Sequence, residues 1–223
     1  MLFLFVPYYN APTKGFSESL ENSTIKFGGD TYASRLIYRD RKRVGIYWTK
    51  AVNDFYDYVK SCRGVKGTDI VAICNSDISF NSDFLEEGMK VKPGEVYIPE
   101  GVFINWQKKD FITLQLDNIL GVCTFPGRSF FMTYGDFMKM GKFCKSLPHY
   151  LSDYDYGIRT LKHLKPVLML NKITHDDHPK VTKPFSMIST TNPFFWTIFL
   201  LRHPNRHTLT NILKAWIDAW RLR

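Results

Sequence analysis

A short apolar run ends at residue 74, and the segment Asn75-Ser76-Asp77 that follows it contains an amide and a carboxylate. Residues 69–74 predict a buried strand, and ligands of open α/β sheets bind beyond the carboxyl ends of the strands. Carboxylate oxygens are preferred ligands of Mg²⁺ and Mn²⁺, which keep positions open for phosphate oxygens. Asp77 is therefore a candidate metal ligand. The alternative is a simple turn, because Asn, Ser and Asp are also common turn residues.

A second acidic pair lies within 152–159, where Asp153 and Asp155 are two residues apart at a predicted helix start. Residues at this spacing cannot share one face of a helix, so we expect them to have different roles. A carboxylate beside a cleft can be the general base that takes a proton from a hydroxyl nucleophile. We assign this role to Asp153, which we predict to lie just outside the helix, and a capping role to Asp155. The alternative is that both carboxylates cap the helix.

Histidine and aspartate cluster at Thr174-His175-Asp176-Asp177-His178, after an apolar run at 166–170 that predicts the last strand of the sheet. Imidazole is a common metal ligand, so His175 is a second candidate ligand, either in a loop or at helical spacing from His178. The alternative is a structural histidine. The chain has no HExxH motif, which leaves a zinc hydrolase without support.

Short apolar runs alternate with amphipathic stretches along the chain. This alternation predicts an α/β domain with a single, mostly parallel central sheet flanked by helices. Pro7 ends the apolar run that opens the chain, and residues 49–61 carry apolar side chains at helical spacing. We predict strands at 2–6, 69–74, 96–98, 102–104, 130–133 and 166–170, and helices at 49–61, from Asp83 as a cap, at 136–143 and at 153–164.

The C-terminal part is aromatic and basic, and we predict it to be a helical appendage at 186–223 to a domain formed by 1–185. From residue 209 onward, apolar side chains share one face of a predicted helix: Leu209, Ile212, Leu213, Trp216, Ile217 and Trp220. Such a face, with arginine and lysine beside it, is typical of a helix that docks on an anionic membrane surface. The alternative is a face that packs on the domain or on a partner subunit.

The composition limits the class of protein. Hydrophobic residues make up 44% of the 223 residues, which is enough for a sizeable core. The four cysteines are widely spaced without a CxxC pair, which favours reduced thiols and a cytoplasmic location, with peripheral attachment to the inner face of the membrane if the tail docks. No apolar stretch approaches the ~20 residues of a spanning helix. The net charge of +9 favours anionic partners such as nucleic acid, acidic phospholipid or nucleoside diphosphates.

Taken in order, these segments resemble those of family 2 glycosyltransferases, over about residues 3–180. Residues 3–10 resemble the opening buried strand and its Pro-x-Tyr-Asn-like turn, and 51–53 resemble an Ala-x-Asn segment. Residues 75–77 resemble the Asp-x-Asp motif, and 152–159 resemble the Glu-Asp-x-Asp-Leu-x-x-Arg segment. His175 falls where many members carry a metal-binding histidine.

The resemblance implies a GT-A fold and transfer with inversion from a nucleoside-diphosphate sugar (a UDP-, GDP- or dTDP-sugar) to a glycan or lipid-linked acceptor. It also implies a divalent metal, Mn²⁺ or Mg²⁺. Asp153 would be the catalytic base, and Asp77 and His175 would bind the metal. The positions implied to border the nucleotide-sugar are Pro7, Tyr9, Asn10, Asp30, Asn53, Asn75 and Ser76.

Two positions depart from the family pattern. Asn75 replaces the first acidic residue of the metal motif, and Ser152 replaces the glutamate before the base. These departures leave open a catalytically inactive scaffold that binds nucleotide-sugars. A third hypothesis is a basic nucleic-acid-binding module with stacking aromatic residues, although the chain carries no recognised motif of that class.

Overall fold

The computed structural model describes residues 1–7, 12–23, 44–105, 110–114, 123–147, 149–169, 172–175 and 193–221. The strands are β1 Leu2–Phe5, β2 Ile70–Cys74, β3 Ile78–Phe80, β4 Glu95–Ile98, β5 Gly101–Asn105, β6 Asp110–Leu114, β7 Ser129–Thr133, β8 Lys165–Leu168 and β9 Ile173–His175. The helices are α1 Lys14–Glu21, α2 Val44–Ser61, α3 Phe84–Gly88, α4 Tyr134–Met140, α5 His149–Leu161, α6 Pro193–Arg202 and α7 Thr208–Arg221.

Five strands form the central sheet in the order β1-β2-β7-β4-β8. The pairs β1–β2 and β4–β8 are parallel, and β7 runs antiparallel between β2 and β4. Every residue of β2 and β7 is buried, as expected of strands that are covered on both faces. The prediction of a mixed α/β fold with a mostly parallel central sheet flanked by helices is confirmed.

Alternate residues of each central strand enter two different cores. In β2, Val71 and Ile73 pack in a cluster with side chains of α2, α4 and α5, whereas Ala72 packs in a second cluster with α1 and α3. This alternation follows from the period of two along a strand. The helices therefore cover both faces of the sheet, and its ends are left for ligands.

A third apolar cluster joins α6 and α7 to the rest of the chain. Trp196, Phe199 and Leu200 of α6 and Ala215 of α7 pack there with Leu151 of α5. The boundary that we predicted between residues 185 and 186 lies outside the described residues. Within the part of the chain that the structure describes, no helix is both long and apolar enough to cross a bilayer.

The structure corrects three details of the predicted elements. The run at 166–170 is not the last strand, because β9 follows it. Helix α5 begins at His149 rather than at residue 153, since Leu151 of its first turns is buried in the third cluster. Asp83 precedes α3 but makes no side-chain cap, and its carboxylate instead lies 2.6 Å from the amine of Lys172.

Candidate active site

The described loops that follow the parallel strands meet at one edge of the central sheet. Pro7 follows β1, Asn75 follows β2 and Glu100 follows β4. Because β7 is antiparallel, Arg128 enters this edge just before β7 starts, and Ser129 pairs with Cys74 at the end of β2. The backbone N–H of Asn75 donates to the Arg128 carbonyl at 2.6 Å, which closes the pairing. This edge is where an open α/β sheet binds its ligands.

Asn75 is held by a side chain from α2. The indole Nε1–H of Trp48 donates to Asn75 Oδ1 at 3.1 Å. The Trp48 ring is buried and packs edge-on against Phe143, with ring centroids 5.2 Å apart. The amide oxygen of Asn75 therefore has a fixed direction at the end of β2, and it is neutral where the family motif carries a charge.

Trp48 also approaches the loop before β7, and only a glycine fits between them. A Cβ at Gly127 would lie 2.5 Å from the Trp48 ring and 2.8 Å from Cβ of Asp153. No side chain tolerates contacts this short. Gly127 therefore allows α2, the loop and α5 to meet, and it brings Asp153 into the same cluster as Trp48 and Asn75.

Asp153 lies in α5, not outside the helix as we predicted, and its side chain is buried. Its Oδ2 accepts a hydrogen bond from the Gly127 backbone N–H at 3.0 Å, and its Oδ1 accepts one from the Tyr154 N–H at 2.8 Å. Burial raises the pKa of Asp153 to about 7, and the two hydrogen bonds and the charge of Arg128 only partly oppose this rise. A carboxylate with a pKa near 7 can exchange protons at neutral pH.

An ion pair borders the cluster. Arg128 Nη1 lies 3.0 and 3.3 Å from the two carboxylate oxygens of Glu100, and both side chains are partly exposed. Glu100 has no signal in the sequence, because a single glutamate after a short strand belongs to no motif. A guanidinium beside an open edge is suited to bind the oxygens of a phosphate or a carboxylate.

The candidate metal ligands are brought to the same end of a small sheet. β3 and β9 are antiparallel, and Ile78 pairs with His175. Asp77 comes directly before Ile78, so it lies at the end of this sheet that holds His175. The segment is also tied to α1, because the Ser76 carbonyl accepts hydrogen bonds from the N–H and the hydroxyl of Thr13 at 2.9 and 3.0 Å.

The donor types at this end are a carboxylate, an imidazole and, at Asn75, an amide oxygen. Among the described residues, no group of three or more His, Cys, Asp or Glu side chains is placed to hold a metal ion. A divalent cation at this end would take most of its coordination from phosphate oxygens and water, as Mg²⁺ commonly does, and the metal site stays a prediction.

Four further residues were implied by the resemblance to border the nucleotide-sugar. Tyr9, Asn10 and Asp30 are outside the described residues. Asn53 is buried, and its amide donates to the Phe143 carbonyl at 3.1 Å and accepts from the Phe143 N–H at 2.8 Å. Asn53 thus fixes α2 to the segment after α4, and we assign it a structural role in place of the nucleotide contact that the motif suggested.

Asp155 is not a helix cap, because it lies inside α5 with a fully buried side chain. Its carboxylate accepts hydrogen bonds from Arg202 Nε at 2.5 Å and from Arg159 Nε at 3.1 Å, and it lies 3.0 Å from His203 Nε2. Burial opposes ionisation, but the bonds from His203 and Arg202 and the charge of Arg159 outweigh it and lower the pKa of Asp155 to about 2. Asp155 therefore joins α5 to the end of α6.

Comparison with known proteins adds no family to this geometry. No model of a known protein family matches the sequence, and no curated protein matches it.

We predict that Asp155→Asn destabilises the protein by about 2–4 kcal/mol, measured as the free energy of unfolding in urea. Loss of the charge leaves two guanidinium groups without their carboxylate partner. The expected loss of stability is at the low end for a buried ion pair, because the side chains of Arg159 and Arg202 are partly exposed to solvent. The matched control is Asp57→Asn, which breaks an exposed pair with Lys142 and should cost less than about 1 kcal/mol. Equal losses for the two variants would contradict the structural role of Asp155.

We also predict that Asp153 makes stability fall with rising pH. Its pKa of about 7 in the folded protein exceeds the value of about 3.9 in an unfolded chain, so between these values the folded state holds the extra proton. Stability from this group is full below about pH 4 and is lost as the pH approaches 7, by a few kcal/mol. Asp153→Asn lacks this titration and should be more stable than the wild type at pH 8 but similar at pH 4.5. If the difference in unfolding free energy between this variant and the wild type did not change with pH, the pKa of Asp153 would not be raised in the folded protein.

Proposed function

We propose that the chain is an inverting glycosyltransferase of the GT-A fold, which moves a sugar from a nucleoside-diphosphate donor to a hydroxyl of a glycan or lipid-linked acceptor. The observation that carries the proposal is the buried Asp153, with a pKa of about 7, in one cluster with Trp48, Gly127 and Asn75 at the ligand edge of the sheet. The order of the motifs along the chain supports the same class.

Asp153 is the proposed base. Its carboxylate removes the proton from the acceptor hydroxyl as the hydroxyl oxygen attacks the anomeric carbon of the donor sugar. The bond from that carbon to the diphosphate oxygen breaks, and its electron pair leaves with the nucleoside diphosphate. One proton ends on Asp153, and attack from the side opposite the leaving group inverts the anomeric configuration. The Gly127 N–H fixes the direction of the carboxylate for this transfer.

The donor side of the site lies at Asn75, Asp77 and Arg128. Asp77 and His175 would hold a divalent cation, which supplies positive charge beside the diphosphate when it is bound. Arg128 adds a guanidinium, held in place by Glu100, that can bind an anionic oxygen of the donor. Pro7 lies one strand away, where the resemblance puts the nucleotide.

A second candidate function is a nucleotide-sugar-binding scaffold without turnover. One observation favours it: the residue at the first position of the metal motif is a neutral amide whose oxygen already accepts the Trp48 indole N–H. Binding of the donor without release of nucleoside diphosphate, under conditions where the metal is saturating, would support this function.

We predict that turnover rises with pH through about 7 and that Asp153→Asn abolishes it. The probes are UDP-, GDP- and dTDP-sugars with Mn²⁺, and the readout is release of nucleoside diphosphate, with water as acceptor until a better one is found. The base must be deprotonated to act, so kcat/KM should increase as Asp153 loses its proton. The variant should bind nucleoside diphosphate as the wild type does, since the base acts on the acceptor.

The matched control for this assay is Asp57→Asn, which removes an exposed carboxylate and should retain the wild-type pH profile. Turnover by Asp153→Asn at the wild-type rate would remove Asp153 from the reaction. A variant that loses nucleotide binding as well as turnover would point to a donor-binding role instead.

We predict that Asp77→Ala and His175→Ala each weaken metal-dependent donor binding. The measurement is thermal stabilisation by nucleoside diphosphate with and without Mn²⁺, because a ligand that binds only the folded state raises its stability with the logarithm of the ligand concentration divided by Kd. Loss of one metal ligand should cost at least about tenfold in affinity with Mn²⁺ present. The control is Asp54→Ala, on the exposed side of α2, where binding should not change. If both variants bound nucleoside diphosphate in the presence of Mn²⁺ as tightly as the wild type does, the segment 75–77 would be only a turn.

A further inference from the structure

Exposed apolar side chains concentrate on α6 and α7. Of the eight large hydrophobic residues that are exposed in the described part of the chain, six belong to these two helices. The six are Phe194, Leu201, Leu209, Leu213, Trp216 and Ile217. Scattered exposed residues are ordinary, but a group on two neighbouring helices marks an interaction surface.

Helix α7 is packed with its less apolar side inward. Its buried residues are Thr208, Asn211 and Ala215, whereas Leu209 and Leu213 are 77% and 64% exposed. A surface helix normally buries its apolar stripe and exposes its polar one. Of the apolar stripe of α7, Ile212 packs on the third cluster, whereas Leu209, Leu213, Trp216 and Ile217 are exposed, so most of the stripe is left uncovered by the described part of the chain.

Basic residues flank this apolar face. The segment 193–223 contains five arginine and lysine residues and one acidic residue. Arg206 and Lys214 are exposed. Lys214 lies about 100° around the helix from Leu213, on the flank between the apolar face and the buried residues, and the Cα of Arg221 follows it after two turns. Asp218 follows Lys214 by about one turn, so this flank has two basic residues and one acidic residue and is net positive beside the hydrophobic and aromatic groups.

We propose that this face of α6 and α7 docks on the surface of an anionic lipid bilayer, with the helices lying in the plane of the interface. Leucine, phenylalanine and tryptophan side chains enter the boundary between headgroups and acyl chains, and the basic flank binds anionic headgroups. A second copy of the chain is a poorer occupant. A two-fold contact would set this patch against itself, and with the axis across the helices it would bring the basic flanks of both copies to one rim, where like charges repel, whereas an anionic surface pairs with that flank directly.

The docking face is rigidly joined to the candidate site. Asp155 of α5 holds Arg202 at the end of α6, and Asp153 lies on the same helix α5. Docking therefore fixes the distance of Asp153 from the membrane surface. The inference does not depend on glycosyl transfer, because binding to vesicles is measured without donor or acceptor.

The test is co-sedimentation of the full chain with vesicles of phosphatidylcholine, with and without phosphatidylglycerol as the anionic lipid. We expect the wild type to bind the anionic vesicles, and we expect Leu209→Ser with Leu213→Ser to reduce partitioning at least about tenfold. Lys214→Ala should reduce binding to anionic vesicles about fivefold and leave binding to neutral vesicles unchanged. Because these side chains are exposed, the variants should keep the melting temperature of the wild type.

The matched control is Met89→Ser, which removes an exposed apolar side chain outside the two helices and should bind as the wild type does. Failure of the wild type to bind anionic vesicles, or wild-type partitioning of the double leucine variant, would overturn the proposal. Sedimentation velocity without lipid tests whether a second copy of the chain covers this face instead. A wild-type dimer that the two leucine substitutions convert to a monomer, together with no vesicle binding, would assign the face to a second copy.

Discussion

Helix α5 carries two buried carboxylates two residues apart, and their opposite environments organise much of the molecule. Asp155 has two guanidinium partners and an imidazole, and its pKa falls to about 2, whereas Asp153 has mainly backbone N–H partners and a pKa of about 7. Side chains at this spacing project about 200° apart around a helix, so one group faces α6 and the other faces the sheet edge. The ionised carboxylate of Asp155 anchors α5 to α6. The carboxyl group of Asp153 can exchange its proton near neutral pH.

This arrangement connects α5 to both the candidate site and the proposed docking face. Its packing against the loop before β7 is close, because a Cβ at Gly157 would lie 2.2 Å from Thr124 Oγ1 and one at Gly127 would meet both Trp48 and Asp153. On the opposite side of α5, the third apolar cluster and the ion pair between Asp155 and Arg202 hold α6 and α7. A helix fixed on both sides cannot shift one surface without the other, which is why the candidate site and the proposed docking face form one unit.

The sequence predicted what depends on local pattern and missed what depends on distant contacts. The strands β1 and β2 are continuous apolar runs and were predicted within a residue or two, whereas β9 is three residues long and has no such pattern. The start of α5 was missed although Pro148 is a usual signal for a helix start. Gly127 and Trp48 had no signal at all, because their importance arises from contacts with Asp153 and Asn75 far along the chain. Burial of Asp153, and thus its raised pKa, is likewise a property of the fold.

The neutral residue at position 75 is consistent with a base that works near neutral pH. Trp48 requires an acceptor there, and either an amide or a carboxylate oxygen would serve. A carboxylate would add a negative charge to the cluster that contains Asp153, and a like charge nearby raises the pKa of a carboxyl further. Burial, partly opposed by the hydrogen bonds and by the charge of Arg128, already holds that pKa at about 7. An amide at position 75 therefore keeps Asp153 able to lose its proton at neutral pH, and in the proposed site the negative charge for a bound cation would come from Asp77.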